Sequence, residues 1–139
     1  MNGRKRLIIL GVVIILLVAV VPVLVSATPL ATSDIKLHTI TPKHVGQRFR
    51  INGNLTGWSF DPVLNIGAGG VLPGRTVEIY KKMGDTWNNP PLATVTTDAW
   101  GGFGLPWQEF SKGKRHYMAV FRGDGTFPGS YDKVTVRIE

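Results

Sequence analysis

Between Gln47 and Thr56 apolar and polar residues alternate without a slip. Phe49, Ile51, Gly53 and Leu55 fall on one side and Arg48, Arg50, Asn52 and Asn54 on the other, and a repeat of two belongs to a pleated strand rather than a helix. A strand with one apolar face must lie on a second apolar surface, so this pattern obliges the chain to supply further strands and stack them. The sequence downstream of residue 27 does so. Ile35, Leu37 and Thr39 alternate with Lys36 and His38; Val77 and Ile79 point inward against Thr76, Glu78 and Tyr80; Val134, Val136 and Ile138 oppose Lys133, Thr135 and Arg137. Tyr117, Ala119 and Phe121 share one side of a strand whose other side carries His116, Met118 and Val120, an apolar pattern on both faces that predicts a central position.

Residues 94–103, Thr-Val-Thr-Thr-Asp-Ala-Trp-Gly-Gly-Phe, predict a hairpin. The Asp98 carboxylate can accept from amides two residues on, and Gly101 and Gly102 allow the positive φ that reverses the chain. Residues 57–74, with Gly67, Gly69, Gly70, Pro73 and Gly74, read as one long loop, and residues 83–91 as a turn. Seven short strands with no helical period after residue 27 predict two packed antiparallel sheets. There is no cysteine, so the core alone must hold them.

The amino end is written differently. Arg4, Lys5 and Arg6 precede an uncharged run that opens at Leu7 and closes at Val25, a membrane-directing segment. Its nineteen residues would span ~28 Å as a helix, close to the ~30 Å hydrocarbon thickness. Val25-Ser26-Ala27 also resembles a cleavage site for a secreted protein. The sequence therefore predicts one N-terminal transmembrane (or signal) helix over residues 1–27, a linker over 28–34 and a β-sandwich over 35–139. The basic cluster before the run places the domain on the extracytoplasmic side, membrane-anchored, or secreted if cleaved after Ala27. Discounting Arg4, Lys5 and Arg6, the net charge of +7 falls to +4 and is scattered, which excludes nucleic acid as the expected partner and favours an acidic surface.

The ordered set Val45-Gly46-Gln47, Ile51-Asn52-Gly53-Asn54-Leu55, Leu72-Pro73-Gly74-Arg75-Thr76-Val77-Glu78-Ile79-Tyr80, Thr96-Thr97-Asp98-Ala99-Trp100-Gly101-Gly102-Phe103, Tyr117-Met118-Ala119-Val120-Phe121, Gly123-Asp124 and Val134-Thr135-Val136 resembles the immunoglobulin-like modules of bacterial and archaeal surface proteins. The resemblance covers residues 35–138 and implies a seven-stranded immunoglobulin-like antiparallel β-sandwich serving as a spacer, adhesin or accessory domain. Such modules usually occur as arrays, whereas this is a single copy behind a membrane segment.

No catalytic constellation is legible, and the sequence predicts no enzyme, no cofactor and no metal site. The serines lack a nucleophile-elbow context, and His38, His44 and His116 lack metal-ligand spacing. Asp98, Asp124 and Asp132 sit in or beside turns, where turn formation accounts for them and a calcium ion is the competing reading. Gly67, Gly69 and Gly70 lack the strand-to-helix context of a nucleotide loop. Asn54-Leu55-Thr56 is an N-glycosylation acceptor with Asn54 directed away from the core.

The candidate contact residues are aromatic. In a sandwich of this topology the connections carrying Trp58, Phe60, Trp100 and Phe127 meet at one end, and Trp87, Trp107 and Phe110 belong to the other. The first group predicts contact with a membrane protein or envelope partner; capping of the core is the competing role. Two other functions stay open. One is a carbohydrate-binding module stacking sugars on Trp58, Trp87 or Trp107, and the other is a pilin-like filament subunit.

Overall fold

The computed structural model describes residues 30–139. They fall into two compact units: Ala31–Ser59 with Ala68–Glu139 forms the sandwich, and Phe60–Gly67 belongs to the other. In the latter, Asp61 accepts from the amides of Val63 and Leu64 at 2.9 and 3.3 Å, and Val63, Leu64 and Ile66 are exposed.

Nine strands follow in order: β1 Leu30–Leu37, β2 Phe49–Asp61, β3 Ile66–Val71, β4 Thr76–Met83, β5 Thr86–Trp87, β6 Ala93–Thr96, β7 Gly102–Trp107, β8 Gly113–Gly123 and β9 Pro128–Ile138. In the first sheet β1 takes one edge of β2. The other edge of β2 is shared, β7 pairing with Phe49 to Asn54 and β3 with the later residues. Leu55 is the handover, its amide donating to Gly101 O at 2.8 Å and its carbonyl accepting from Leu72 N at 3.0 Å. Gly101 is required there: its φ is +77°, and a Cβ would lie 2.6 Å from Leu55 O.

The second sheet runs β9-β8-β4, with β6 and β5 dividing the far edge of β4. Both β4 partners are antiparallel to it, as are β8 to β4 and β9 to β8. After β1 the chain changes sheets. Lys43 N donates to Arg137 O at 2.9 Å and Glu139 N returns a bond to Lys43 O at 2.7 Å, so this short segment runs parallel to the end of β9. Two antiparallel sheets, entered in one and closed in the other, are compatible with an immunoglobulin-like domain.

The core lies between the sheets. Ile51 and Leu55 of β2 and Phe103 of β7 face Val77 and Ile79 of β4, Tyr117, Ala119 and Phe121 of β8, and Val136 and Ile138 of β9. These are the inward positions of the period-two pattern, buried at about 25 cal/mol per Å² of apolar surface removed from water. β8 sits between β4 and β9, the central place that its two apolar faces predict.

The expected architecture needs correction on two counts. The described residues form nine strands, not seven, because the stretch read as a loop contains β3 and the turn after β4 contains β5. Isolated from its partner, Ile-Gly-Ala-Gly-Gly-Val has no alternation to mark it as a strand; it pairs because β2 continues to Asp61 and offers it a ladder. Gly69 also makes room for Trp58, whose Cδ1 would lie 2.9 Å from a Cβ there. β5 forms because Gly84, at φ +66°, turns the chain tightly enough for Trp87 to pair back on Lys82. The second correction concerns the helix preceding the sandwich: the described residues contain only strands, turns and irregular segments, with no helix long and apolar enough to cross a membrane. The apolar run from Leu7 to Val25 lies outside the described residues. β1 begins at Leu30, within the stretch expected as linker, and Ser33 Oγ ties it to Pro128 O at 2.6 Å and Ser130 Oγ at 2.9 Å.

Candidate functional site

Three connections meet where β2 hands over to β3 and β7. In the first, Asp98 Oδ1 accepts from the amides of Trp100 and Gly102 at 2.8 and 2.9 Å, and Asp98 N donates to Gly102 O at 2.8 Å. In the second, residues 72–75, Thr97 is the fastening. Its buried hydroxyl donates to Leu72 O at 2.6 Å and accepts from Arg75 N at 2.8 Å. In the third, Asp124 Oδ1 accepts from Thr126 N and Phe127 N, both at 2.8 Å, and its Oδ2 accepts from Arg75 Nε at 2.9 Å. The amides of Phe127 and Thr126 hold the Asp124 carboxyl below its ordinary range, and Arg75 adds to the effect.

The aromatic residues of this end have different fates. Trp100 stands 80% exposed at the tip of the Asp98 turn. Trp58 is 44% exposed and lies across Gly69. Phe127 packs against the core, with the Arg75 guanidinium 5.6 Å from its ring centroid. Phe60 belongs to β2 within the other compact unit. Asn54 is exposed and opposite Gly102, which has no side chain to crowd it.

The opposite end holds a site the sequence reading missed. Glu109 is only 6% exposed, and four side chains donate to it. Lys81 Nζ at 2.9 Å and Arg115 Nε at 3.4 Å meet Oε1; Trp107 Nε1 at 2.9 Å and the Tyr117 hydroxyl meet Oε2. Burial by itself would raise this carboxyl, but the hydrogen bonds from Lys81, Tyr117 and Trp107 outweigh it and hold Glu109 below the usual carboxylate range. Burial, then the bond to Glu109 and its charge, push the Tyr117 phenol strongly upward. A carboxylate saturated by donors is a structural tie between β4, β7 and β8. Its one sequence signal is that Glu109 is the sole acidic residue between Asp98 and Asp124, with Lys112, Lys114 and Arg115 close behind it. Trp107, a candidate for sugar stacking, has its indole N–H committed to this tie.

Among the described residues no three His, Cys, Asp or Glu side chains gather as a metal site. Asp98 and Asp124 order their own turns, Asp132 Oδ2 accepts from Leu37 N at 2.8 Å, and His116 Nδ1 meets Thr135 Oγ1 at 2.8 Å. Comparison of the chain with protein-family models, with curated proteins and with solved structures gave no match.

Proposed function

We propose that this protein is a non-enzymatic, immunoglobulin-like interaction module that faces outward from a cell envelope or membrane protein complex. Its partner contact is the end of the sandwich carrying Trp100, with Trp58 and Phe127 in support. The observation that carries this reading is Trp100, 80% exposed on a backbone fixed by Asp98. A large aromatic ring on a rigid turn loses little conformational freedom on binding, which is what an interface anchor requires. Arg75, lying over Phe127 and bonded to Asp124, braces the neighbouring turns. The outward placement is supported by the uncharged run from Leu7 to Val25 behind Arg4, Lys5 and Arg6. The surface-protein role draws on the resemblance to immunoglobulin-like modules, in which the fold serves as a scaffold for contact loops.

Cross-linking in the native membrane fraction tests the contact. The wild-type chain is expected to give a discrete cross-linked complex that is lost with Trp100→Ser while circular dichroism stays unchanged. A complex that persists at full yield with Trp100→Ser and Trp58→Ser combined sinks the proposed contact end. The intact mass of the native protein tests the attachment: a mass that includes residues 1–27 fits an anchored component, and one beginning at Thr28 fits a secreted module.

A further inference from the structure

The outer side of the second sheet is more apolar than a solvated face requires. Met118 and Val120 of β8 stand between Tyr80 and Glu78 of β4 and Lys133 and Tyr131 of β9. Tyr80 points away from the core by strand alternation, yet it is only 7% exposed. Arg122 donates to its hydroxyl at 2.9 Å, and Trp87 on β5 joins the same surface. The result is a groove of ≈ 670 Å³ with Met118 and Val120 in its floor and the rings of Trp87 and Tyr131 in its walls. That volume lies in the range of small-ligand sites, roughly 300 to 1,000 Å³. The Lys133 ammonium lies 5.8 Å from the centroid of each ring.

Charge on this face is one-sided. Strand alternation puts Lys82, Lys114, Lys133 and Arg137 on it, together with the Arg122–Glu78 pair. Glu78 and Arg122 cancel each other at 2.5 Å, and the lysines and Arg137 leave the surplus positive. The groove therefore combines two aromatic walls, the Lys133 ammonium between them, and the side-chain amides of Asn88 and Asn89, on a face whose Lys82, Lys114 and Arg137 lie outside the groove.

The geometry points to a binding site for an acidic polysaccharide, a chain of uronic-acid rings lying across β8 between Trp87 and Tyr131. The C–H face of a pyranose ring packs on an aromatic face. The uronate carboxylate meets the Lys133 ammonium, and the asparagine amides serve the hydroxyls. A neutral glycan leaves the cations uncompensated. An acidic peptide satisfies the cations but offers no flat ring to both walls. The site lies on the sheet face rather than at the Trp100 turn, so it stands or falls independently of the proposed contact end.

The test uses the full-length chain in mild detergent, titrated with galacturonate oligomers and followed by tryptophan fluorescence and calorimetry. Maltooligosaccharide is the neutral control and polyglutamate the acidic one. Saturable binding of galacturonate alone is expected, weakening as salt is raised. Trp87→Ala and Lys133→Gln should each weaken it about tenfold, while Trp100→Ser leaves Kd unchanged. Tyr131, 64% exposed, supplies the variant that keeps the fold intact if Trp87→Ala does not. The inference is overturned by an absence of galacturonate binding, by polyglutamate binding equally well, or by an unchanged Kd in the folded Tyr131→Ala protein.

Discussion

The two ends of the sandwich solve one problem in opposite ways. Each must close a disulfide-free core where strands leave their sheets. At the Glu109 end a buried carboxylate collects Lys81, Arg115, Trp107 and Tyr117, so the closure is made by side chains from distant positions. At the Trp100 end Asp98 and Asp124 bind amides two to four residues ahead of them, and Thr97 fastens the intervening turn. Local turns satisfy the backbone without consuming aromatic rings, which leaves Trp100 in solvent. The buried tie consumes its tryptophan. One end thus closes through a buried charged cluster, and the other leaves an aromatic ring exposed.

The sharpest way to break this contrast is to remove the tie. Glu109→Ala strands Lys81 and Arg115 beside the core and should lower unfolding free energy by about 3 kcal/mol in urea titrations, near the lower limit for breaking a buried pair because both cations keep some solvent. A loss as small as that of a surface substitution would abolish the distinction between the ends.

Thr97→Val should rank next, at about 2 kcal/mol by the same measurement, because it leaves Leu72 O and Arg75 N without the hydroxyl they share. Its effect should add to that of Glu109→Ala, as the two residues have no common partner.

Titration sharpens the comparison further. The folded Glu109 carboxyl lies below its ordinary 4.5, so the folded state binds this proton less readily than the unfolded chain. Its contribution is present above pH 4.5 and is lost as pH falls through the lower folded value. Wild-type unfolding free energy should therefore drop on acidification, and Glu109→Gln should remove part of that slope. Asp124 acts in the same direction from an exposed position, so some slope should remain. The Tyr117 phenol is raised, and the sign reverses: its contribution is complete below pH 10 and fades above it as the unfolded chain ionises first. Tyr117→Phe should flatten that alkaline limb.

The smallest stability effect is expected where the functional effect is largest. Trp100→Ser should change unfolding free energy by less than about 0.5 kcal/mol, as for other surface substitutions, while abolishing partner cross-linking.

The legible parts of the molecule are those whose cause is local. Alternation in β2, β4, β8 and β9 follows from the pleat, so the inward sides of Phe49, Val77, Tyr117 and Val136 can be read from neighbours two residues away. The Asp98 turn is equally local, since its bonds reach no farther than Gly102. The packing of Phe127 against the core was not legible, because it depends on the space left beside Gly57.

What tertiary structure decided has its causes far along the chain. β3 is a strand because β2 lends it a ladder, against a glycine-rich sequence that prefers no conformation. Glu109 is buried because donors at positions 81, 107, 115 and 117 converge on it, and its isolation among basic residues in sequence does not say which of them reach it. Lys133 reaches Trp87 only because β5 folds back on β4 while β9 pairs with β8. Sequence by itself determined that the domain is built of strands and which way β2, β4, β8 and β9 face, since period and turn chemistry act within a few residues. Only the packed sheets decided which charges are buried and where an aromatic ring meets a cation, because both depend on register between strands that the chain brings together from afar.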